Sequence, residues 1–231
     1  MAIIPARGGS KRIPKKNIKP FAGKPIIAYS IEVAQKSGLF DRVIVSTDSD
    51  EIADVSLQSG AEVPFRRPAE LADDHSGTNA VMKHAIQWAG RQGQRPSYVC
   101  CIYPTAPLLR TTDIVSGFEK LSSSDKQFSF SVTEFPFPIL RSVRLKESDT
   151  IEAIWPEHVP KRSQDLEPAF HDAGQFYWGR PEAFLNEVML FSTQSIAVVL
   201  PTFRVMDIDT PDDWQRAELM YLALKGTGNI D

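Results

Sequence analysis

The sequence predicts an α/β layered fold on a mostly parallel sheet, and two features carry that expectation. Short apolar runs alternate with helical patterns along the whole chain. Several of those runs are apolar throughout rather than at every second residue, as strands covered on both faces are.

The elements follow in order. The run Ala2-Ile3-Ile4-Pro5 predicts a first strand, and the pattern after it a helix over 25–37. A strand at 42–46 around Val43-Ile44-Val45 feeds a helix at 50–58, and a further strand at 62–65 precedes a helix at 78–92. The apolar run 98–102 is a strand followed by a helix at 113–122; strands at 128–133, 175–178 and 196–200 complete the sheet. The last helix, 211–225, is the best marked: Thr210 is placed to cap it, Pro211 stands at its first position, and Asp212 and Asp213 meet the positive end of its dipole. Residues 135–172 break the rhythm with prolines at 136, 138, 156, 160 and 168 and mixed charge. They read as an arm inserted into a single domain spanning 1–231, placed to cover a substrate or meet another subunit, with a passive surface loop as the alternative.

Composition bounds the function. The chain has 231 residues, 42% hydrophobic and 24% charged, which supplies a sizeable core and excludes disordered and collagen-like classes. No apolar run approaches the ~18 residues of a membrane span, and no signal-peptide core follows the N-terminus, so a cytoplasmic protein with no membrane association is expected. Cys100 and Cys101 are adjacent in a strand and point to opposite faces, as core thiols rather than a disulfide. His75, His84, His158 and His171 are too scattered for a structural zinc site.

Charge is distributed unevenly. The net charge is −3, yet residues 1–31 hold Arg7, Lys11, Arg12, Lys15, Lys16, Lys19 and Lys24 with no acid, which leaves −10 on the remainder. A local cationic segment on an acidic chain suits a focused polyphosphate site, whereas duplex nucleic acid, not expected as a partner, favours a broad basic face. A solvated basic loop is the alternative.

Three motifs sharpen this. In Ile4-Pro5-Ala6-Arg7-Gly8-Gly9-Ser10-Lys11 a strand delivers two glycines and clustered cations into one loop, which can wrap phosphates with backbone N–H groups. Neither GxxxxGK[ST] nor GxGxxG is present, which counts against P-loop and dinucleotide chemistry. In Met206-Asp207-Ile208-Asp209, the carboxylates at i and i+2 share one face of an extended segment and suit Mg²⁺; equally, Asp207 pairs with an arginine while Asp209 helps to cap the helix. Pro104-Thr105-Ala106-Pro107 follows an apolar strand, where open α/β sheets bind ligands, or forms a rigid turn. Asp48 reads as a capping residue, and Arg66-Arg67-Pro68 adds charge after another strand.

Together these residues resemble the cytidylyltransferases that activate acidic sugars, the CMP-sialic acid synthetase family. The resemblance covers essentially the whole chain, in order: IPARGGSKRIPKKN at 4–17, VSTDSDEIA at 45–53, RRPAELA at 66–72, YPTAPLLR at 103–110 and DIDTPDDW at 207–214. The segment 169–178, AFHDAGQFYW, looks like the branch acting on pseudaminic acid; the sialate branch has an Asn-Gly-containing segment there. The resemblance implies a three-layer nucleotidyltransferase (Rossmann-like) fold and transfer of CMP from CTP to a nine-carbon acidic sugar, pseudaminic acid, with release of pyrophosphate. Ala6, Arg7, Gly8, Gly9, Ser10, Lys11, Lys16, Asn17, Arg67, Pro104, Thr105 and Ala106 would surround CTP, with Arg7 and Lys16 stabilising the transferred phosphoryl group. Asp207 and Asp209 would bind Mg²⁺, with Asp207 near the attacking hydroxyl. Lys161, Arg162, His171, Gln175 and Tyr177 are the candidates for the sugar, the first three for its carboxylate. A homodimer is implied, with the 135–172 arm packing on the partner.

Two departures stand out. Tyr103 replaces the Gln common before Pro-Thr in sialate-type members, and the first strand begins close to Met1, as an upstream start would explain. The alternatives are the same chemistry on N-acetylneuraminic or legionaminic acid, and a catalytically inactive nucleotide-binding regulator.

Overall fold

The computed structural model describes residues 1–73 and 77–228, so His75 lies outside the described residues. Its elements are β1 (Ala2–Pro5), β2 (Pro20–Phe21), β3 (Lys24–Pro25), α1 (Ile26–Lys36), β4 (Val43–Ser46), α2 (Asp50–Gln58), α3 (Thr78–Arg91), β5 (Val99–Ile102), α4 (Thr111–Ser122), β6 (Phe128–Glu134), β7 (Val143–Leu145), β8 (Ile151–Ala153), β9 (Phe170–Gly179), α5 (Pro181–Leu185), β10 (Ser195–Leu200) and α6 (Pro211–Gly226).

Six strands form the central sheet in the order β10-β6-β9-β5-β1-β4. All neighbours pair parallel except β9, which runs antiparallel between β5 and β6. Alternation along the strands sends side chains into two cores. Ile4 and Cys100 pack with Ile27 and Ile31 of α1, Ile52 of α2 and Ile114 of α4 on one face. Ile3 and Cys101 pack with Met82 and Ile86 of α3 and Phe184 of α5 on the other. The two thiols thus lie on opposite faces, free and buried. The sheet between two helical layers is the three-layer architecture expected.

A third cluster sits beyond the edge of these layers, where α6 closes over the N-terminal segment. Phe21 stands edge-on to Tyr29, Trp214 and Tyr221 at centroid distances of 5.5–5.7 Å. The capping box reads as the sequence predicts: Asp213 N–H donates to Thr210 Oγ1 at 3.2 Å, and Thr210 N–H to Asp213 Oδ2 at 2.8 Å.

Three expectations change. The strand at 62–65 is reduced to isolated bridges at Ile44–Glu62 and Thr47–Arg66, because Pro64 between them has no N–H to give a ladder. The strand expected at 175–178 extends from Phe170 to Gly179, since β6 pairs along its length around a bulge. The arm is not wholly irregular: β7 and β8 form a small antiparallel hairpin within it.

Candidate nucleotide-transfer site

The parallel strands β5, β1 and β4 end on one rim, with β1 between the other two, and such a reversal of strand order is where open α/β sheets hold ligands. A cleft of about 360 Å³ opens there. Arg7, Ser10, Lys11, Arg12, Lys16 and Asn17 line it from the loop after β1, Tyr103, Pro104 and Thr105 from the loop after β5, Arg67 from beside β4, and Asp207 and Asp209 from the segment entering α6.

The loop after β1 is braced from behind. Asn17 is buried and its Nδ2 donates to the Arg7 carbonyl at 2.9 Å. Gly8 N–H donates to Asp48 Oδ1 at 2.9 Å, and a Cβ on Gly8 would come within 3.1 Å of the Ser49 Cβ, a tight contact that Ser49 would have to yield to. The cap of α2 is Ser49, whose Oγ accepts from Ile52 N–H at 3.4 Å. Asp48, expected to cap, instead holds the glycine loop; its place directly after β4 was the signal available in sequence.

Arg67 is buried, and its guanidinium donates to both the Oγ and the carbonyl of Ser46. Burial pushes it down to about 10, aided by the like charge of Arg7 and opposed by Asp48. The bonds to Ser46 aim the guanidinium along the rim.

Asp207 and Asp209 differ in their partners. Asp209 Oδ1 meets Arg12 Nη2 at 2.9 Å and Lys16 Nζ at 3.3 Å, and Lys16 also donates to the Ile208 carbonyl at 2.7 Å. No hydrogen bond or ion pair reaches the Asp207 carboxylate among the described residues. Burial raises its pKa, and the neighbouring Asp209 charge raises it further. The second sequence reading therefore changes in detail: Asp209 pairs with the arginine, and α6 is capped by Thr210 with Asp213 as its reciprocal partner, Asp213 also accepting from Asp209 N–H at 3.2 Å. Lys16 and Arg12 oppose the rise at Asp207 from a distance without forming an ion pair, and a half-buried carboxylate of this kind beside a second carboxylate fits a divalent cation. Among the described residues no cluster of three His, Cys, Asp or Glu forms a ready-made cage, so such an ion would complete its shell with water and substrate oxygens.

Other expected residues are dispersed. Ala6 and Ala106 are buried in the core behind the cleft. Lys161 and Arg162 are exposed on the arm, where Arg162 pairs with Asp165 at 2.9 Å. His171 lies against Phe135 at 4.7 Å and lines a separate hollow with Glu134 and Met206. Gln175 is buried, its Nε2 donating to the Ala173 carbonyl at 3.0 Å. Within the described subunit, Lys161, Arg162, His171 and Gln175 do not converge with Tyr177 on one surface.

Tyr177 faces a second cavity of about 370 Å³, which shares Thr78 and Tyr103 with the cleft. Its O–H donates to Asp172 Oδ2 at 2.7 Å, while Tyr103 Oη and Thr78 Oγ1 lie 3.1 Å apart. Burial, then Tyr103 and Asp172, pushes the Tyr177 phenol up, so it stays protonated as that donor. Arg12, Thr78 and Asp172 were absent from the expected site; Arg12 was visible as part of the cationic segment and Asp172 as part of the 169–178 segment, whereas Thr78 lies in no motif.

A cytidylyltransferase family model matches residues 1–175. The chain is 46% identical to the pseudaminic acid cytidylyltransferase of Campylobacter jejuni, over 96% of this chain and 95% of that protein. It is 32% identical to the CMP-N,N'-diacetyllegionaminic acid synthase of Legionella pneumophila, over 94% of each. In fold it is similar to a CMP:2-keto-3-deoxy-manno-octonic acid synthetase solved with CTP, with a TM-score of 0.70 at 16% identity over 97% of this chain and 98% of that one.

Proposed function

The chain belongs to the cytidylyltransferase family, and from that premise we propose that it transfers CMP from CTP to pseudaminic acid, a nine-carbon sugar acid, and releases pyrophosphate. The observation that carries the reading is the convergence of Arg7, Lys11, Arg12, Lys16 and Arg67 with the Asp207–Asp209 pair in one cleft. The identity to the Campylobacter jejuni relative supports pseudaminic acid over other nonulosonic acids.

The chemistry sets the demands on the site. A sugar hydroxyl forms a bond to the α-phosphorus while the bond to the bridging oxygen breaks, and the electron pair leaves with pyrophosphate. Both reactants are anions, so their approach is opposed until positive charge is fixed around them. Arg7 and Lys11 face the phosphates from the glycine loop, and Lys16, held by the Ile208 carbonyl, carries its ammonium to the carboxylate side of the cleft. Each charge-assisted hydrogen bond contributes roughly 1.5–3 kcal/mol. Arg67 and the Pro104-Thr105 turn form the far wall, where the nucleoside is assigned. Asp207 and Asp209 would hold Mg²⁺, which when bound neutralises phosphate charge and lowers the pKa of a coordinated hydroxyl. Asp207, with its raised pKa, is our assignment for the group that accepts the proton of the attacking hydroxyl.

The arm is assigned to a second copy of the chain. Phe137, Leu145, Ile151 and Val159 are exposed along it, an apolar surface that a dimer would cover. No helix among the described residues is long and apolar enough to cross a membrane.

The test is pyrophosphate release with CTP and Mg²⁺, comparing pseudaminic, N-acetylneuraminic and legionaminic acids with a no-sugar control. Release with pseudaminic acid alone is expected. Release with another acid keeps the reaction and overturns the sugar, and CTP binding without release from any of the three overturns pseudaminic acid in favour of a nucleotide-binding regulator or a substrate outside this panel.

A further inference from the structure

Two adjoining cavities on the rim are opposite in charge. The cleft presents five cationic side chains against two carboxylates. The neighbouring cavity has no lysine, arginine or histidine among its described lining residues; its charged groups are Asp172 and Glu187, the latter paired with Lys83 at 2.8 Å, and Phe128, Phe184, Leu190 and Phe191 supply much of its apolar wall. Thr78 and Tyr103 form the shared partition.

We propose that Asp172 sets the orientation and selectivity of the sugar acceptor, taking N–H or O–H hydrogen bonds from the end of the sugar remote from the reacting carbon and excluding the sugar's own carboxylate from that cavity. This inference rests on the transfer reaction proposed above. A 2-keto sugar acid carries its carboxylate on the same carbon as the anomeric hydroxyl. When that hydroxyl faces the α-phosphorus, the carboxylate lies on the cationic side, and the rest of the sugar extends past Tyr103 into the second cavity. The reversed pose would bring the sugar carboxylate against Asp172, whose own contacts are the Tyr177 O–H and the Gly174 N–H and not a cation, so like charges would meet there.

The geometry of Asp172 suits this role. A carboxylate has about four acceptor positions. Asp172 accepts from Tyr177 O–H at 2.7 Å and from Gly174 N–H at 2.9 Å, which fixes the group and leaves acceptor capacity for a ligand. The Tyr103 ring lies 5.3 Å from that of Tyr177 and braces it, so the ordered chain runs from Thr78 on the nucleotide side to Asp172 on the other. An acceptor among aromatic and aliphatic walls suits a sugar bearing amide N–H groups with methyl or acyl substituents, and serves a polyhydroxylated tail poorly.

The test is steady-state pyrophosphate release by the full chain carrying Asp172→Asn or Tyr177→Phe, with CTP and the best of the three acids. Asp172→Asn is expected to lower kcat/KM for the sugar about ten- to a hundredfold while KM for CTP stays within about twofold, with Tyr177→Phe shifting the same parameter in the same direction. Wild-type sugar kinetics in Asp172→Asn overturn the inference, as does a loss in which KM for CTP rises in parallel, the mark of a merely structural role. If Asp172→Asn does not fold, Tyr177→Phe decides alone, and unchanged sugar kinetics there overturn it. Turnover by the wild type with none of the acids removes the underlying reaction and this inference with it; wild-type turnover matched by both variants removes only this inference.

Discussion

Arg204 and Asp113 form a two-pronged ion pair whose side chains are 7% and 10% exposed, with contacts of 2.6 and 3.0 Å. Asp113 stands in the first turn of α4, directly after the 104–110 turn, and accepts from Arg110 N–H at 3.0 Å; Arg204 lies just ahead of Asp207. The pair thus clamps the carboxylate-bearing segment to the nucleotide turn. Arg204→Met removes the charge while keeping most of the side-chain volume, and strands Asp113 in the interior with one backbone donor. Breaking a buried pair from one side costs about 3–5 kcal/mol. For a chain of this size each kcal/mol shifts the melting temperature by about 2–4 °C, so a fall of roughly 6–20 °C is expected. Denaturant and thermal melts followed by circular dichroism measure it. Asp113→Leu combined with Arg204→Met leaves no stranded charge and is expected to recover much of the loss. A single Arg204→Met variant within about 1 kcal/mol of wild type would refute the reasoning, since the interior would then be tolerating an unpaired carboxylate.

Three further outcomes are expected. Asp209→Ala should abolish Mg²⁺-dependent turnover while melting within about 1 kcal/mol of wild type, because its ion pairs are partly solvated; near-normal rates with Mg²⁺ would sink the metal assignment. Asp48→Ala frees the Gly8 N–H from its acceptor and should raise KM for CTP several-fold more than it alters the sugar KM, in initial-rate measurements with each substrate varied; parallel changes in both would remove Asp48 as a holder of the glycine loop. The Asp213 carboxyl is held below its ordinary value of 3.8, chiefly by the Thr210 O–H; the stability this provides is present above that value and is lost as pH falls through the depressed one. Acid melts of wild type and Asp213→Asn should therefore converge at low pH, and a gap that persists there would count against the capping account.

Much of the fold, and the gathering of the cationic segment around one cleft, was legible because the relevant signals are local. Thr210-Pro211-Asp212-Asp213 announces a helix start within four residues, and the acid-free stretch to residue 31 concentrates charge where the cleft forms. The second cavity was legible only in part: the 169–178 segment, Tyr177 and Tyr103 stood out, but the meeting of β9 with Tyr103 and Thr78 depends on the long-range pairing of β9 beside β5, which leaves no local signal. Lys161 and Arg162 were candidates as cations of the arm, and in the single chain they are exposed there. Pro64 gave fair warning against the strand at 62–65, and the apolar character of the run outweighed it in the reading.

The antiparallel course of β9 also bears on how this chain can change. Residue pairs Thr133–His171 and Glu134–Phe170 close a ladder at the base of the arm, and Phe135 N–H donates to the Ala169 carbonyl at 2.9 Å. The two ends of the excursion are therefore already joined, as the arms of a hairpin are, whatever lies between them. Residues between that closure can be lengthened, trimmed or exchanged at a cost that grows only slowly with loop length, without a shift of register in the sheet. Evolution, or an engineer, can thus redraw the arm as a cassette while the rim that carries the cleft stays in place.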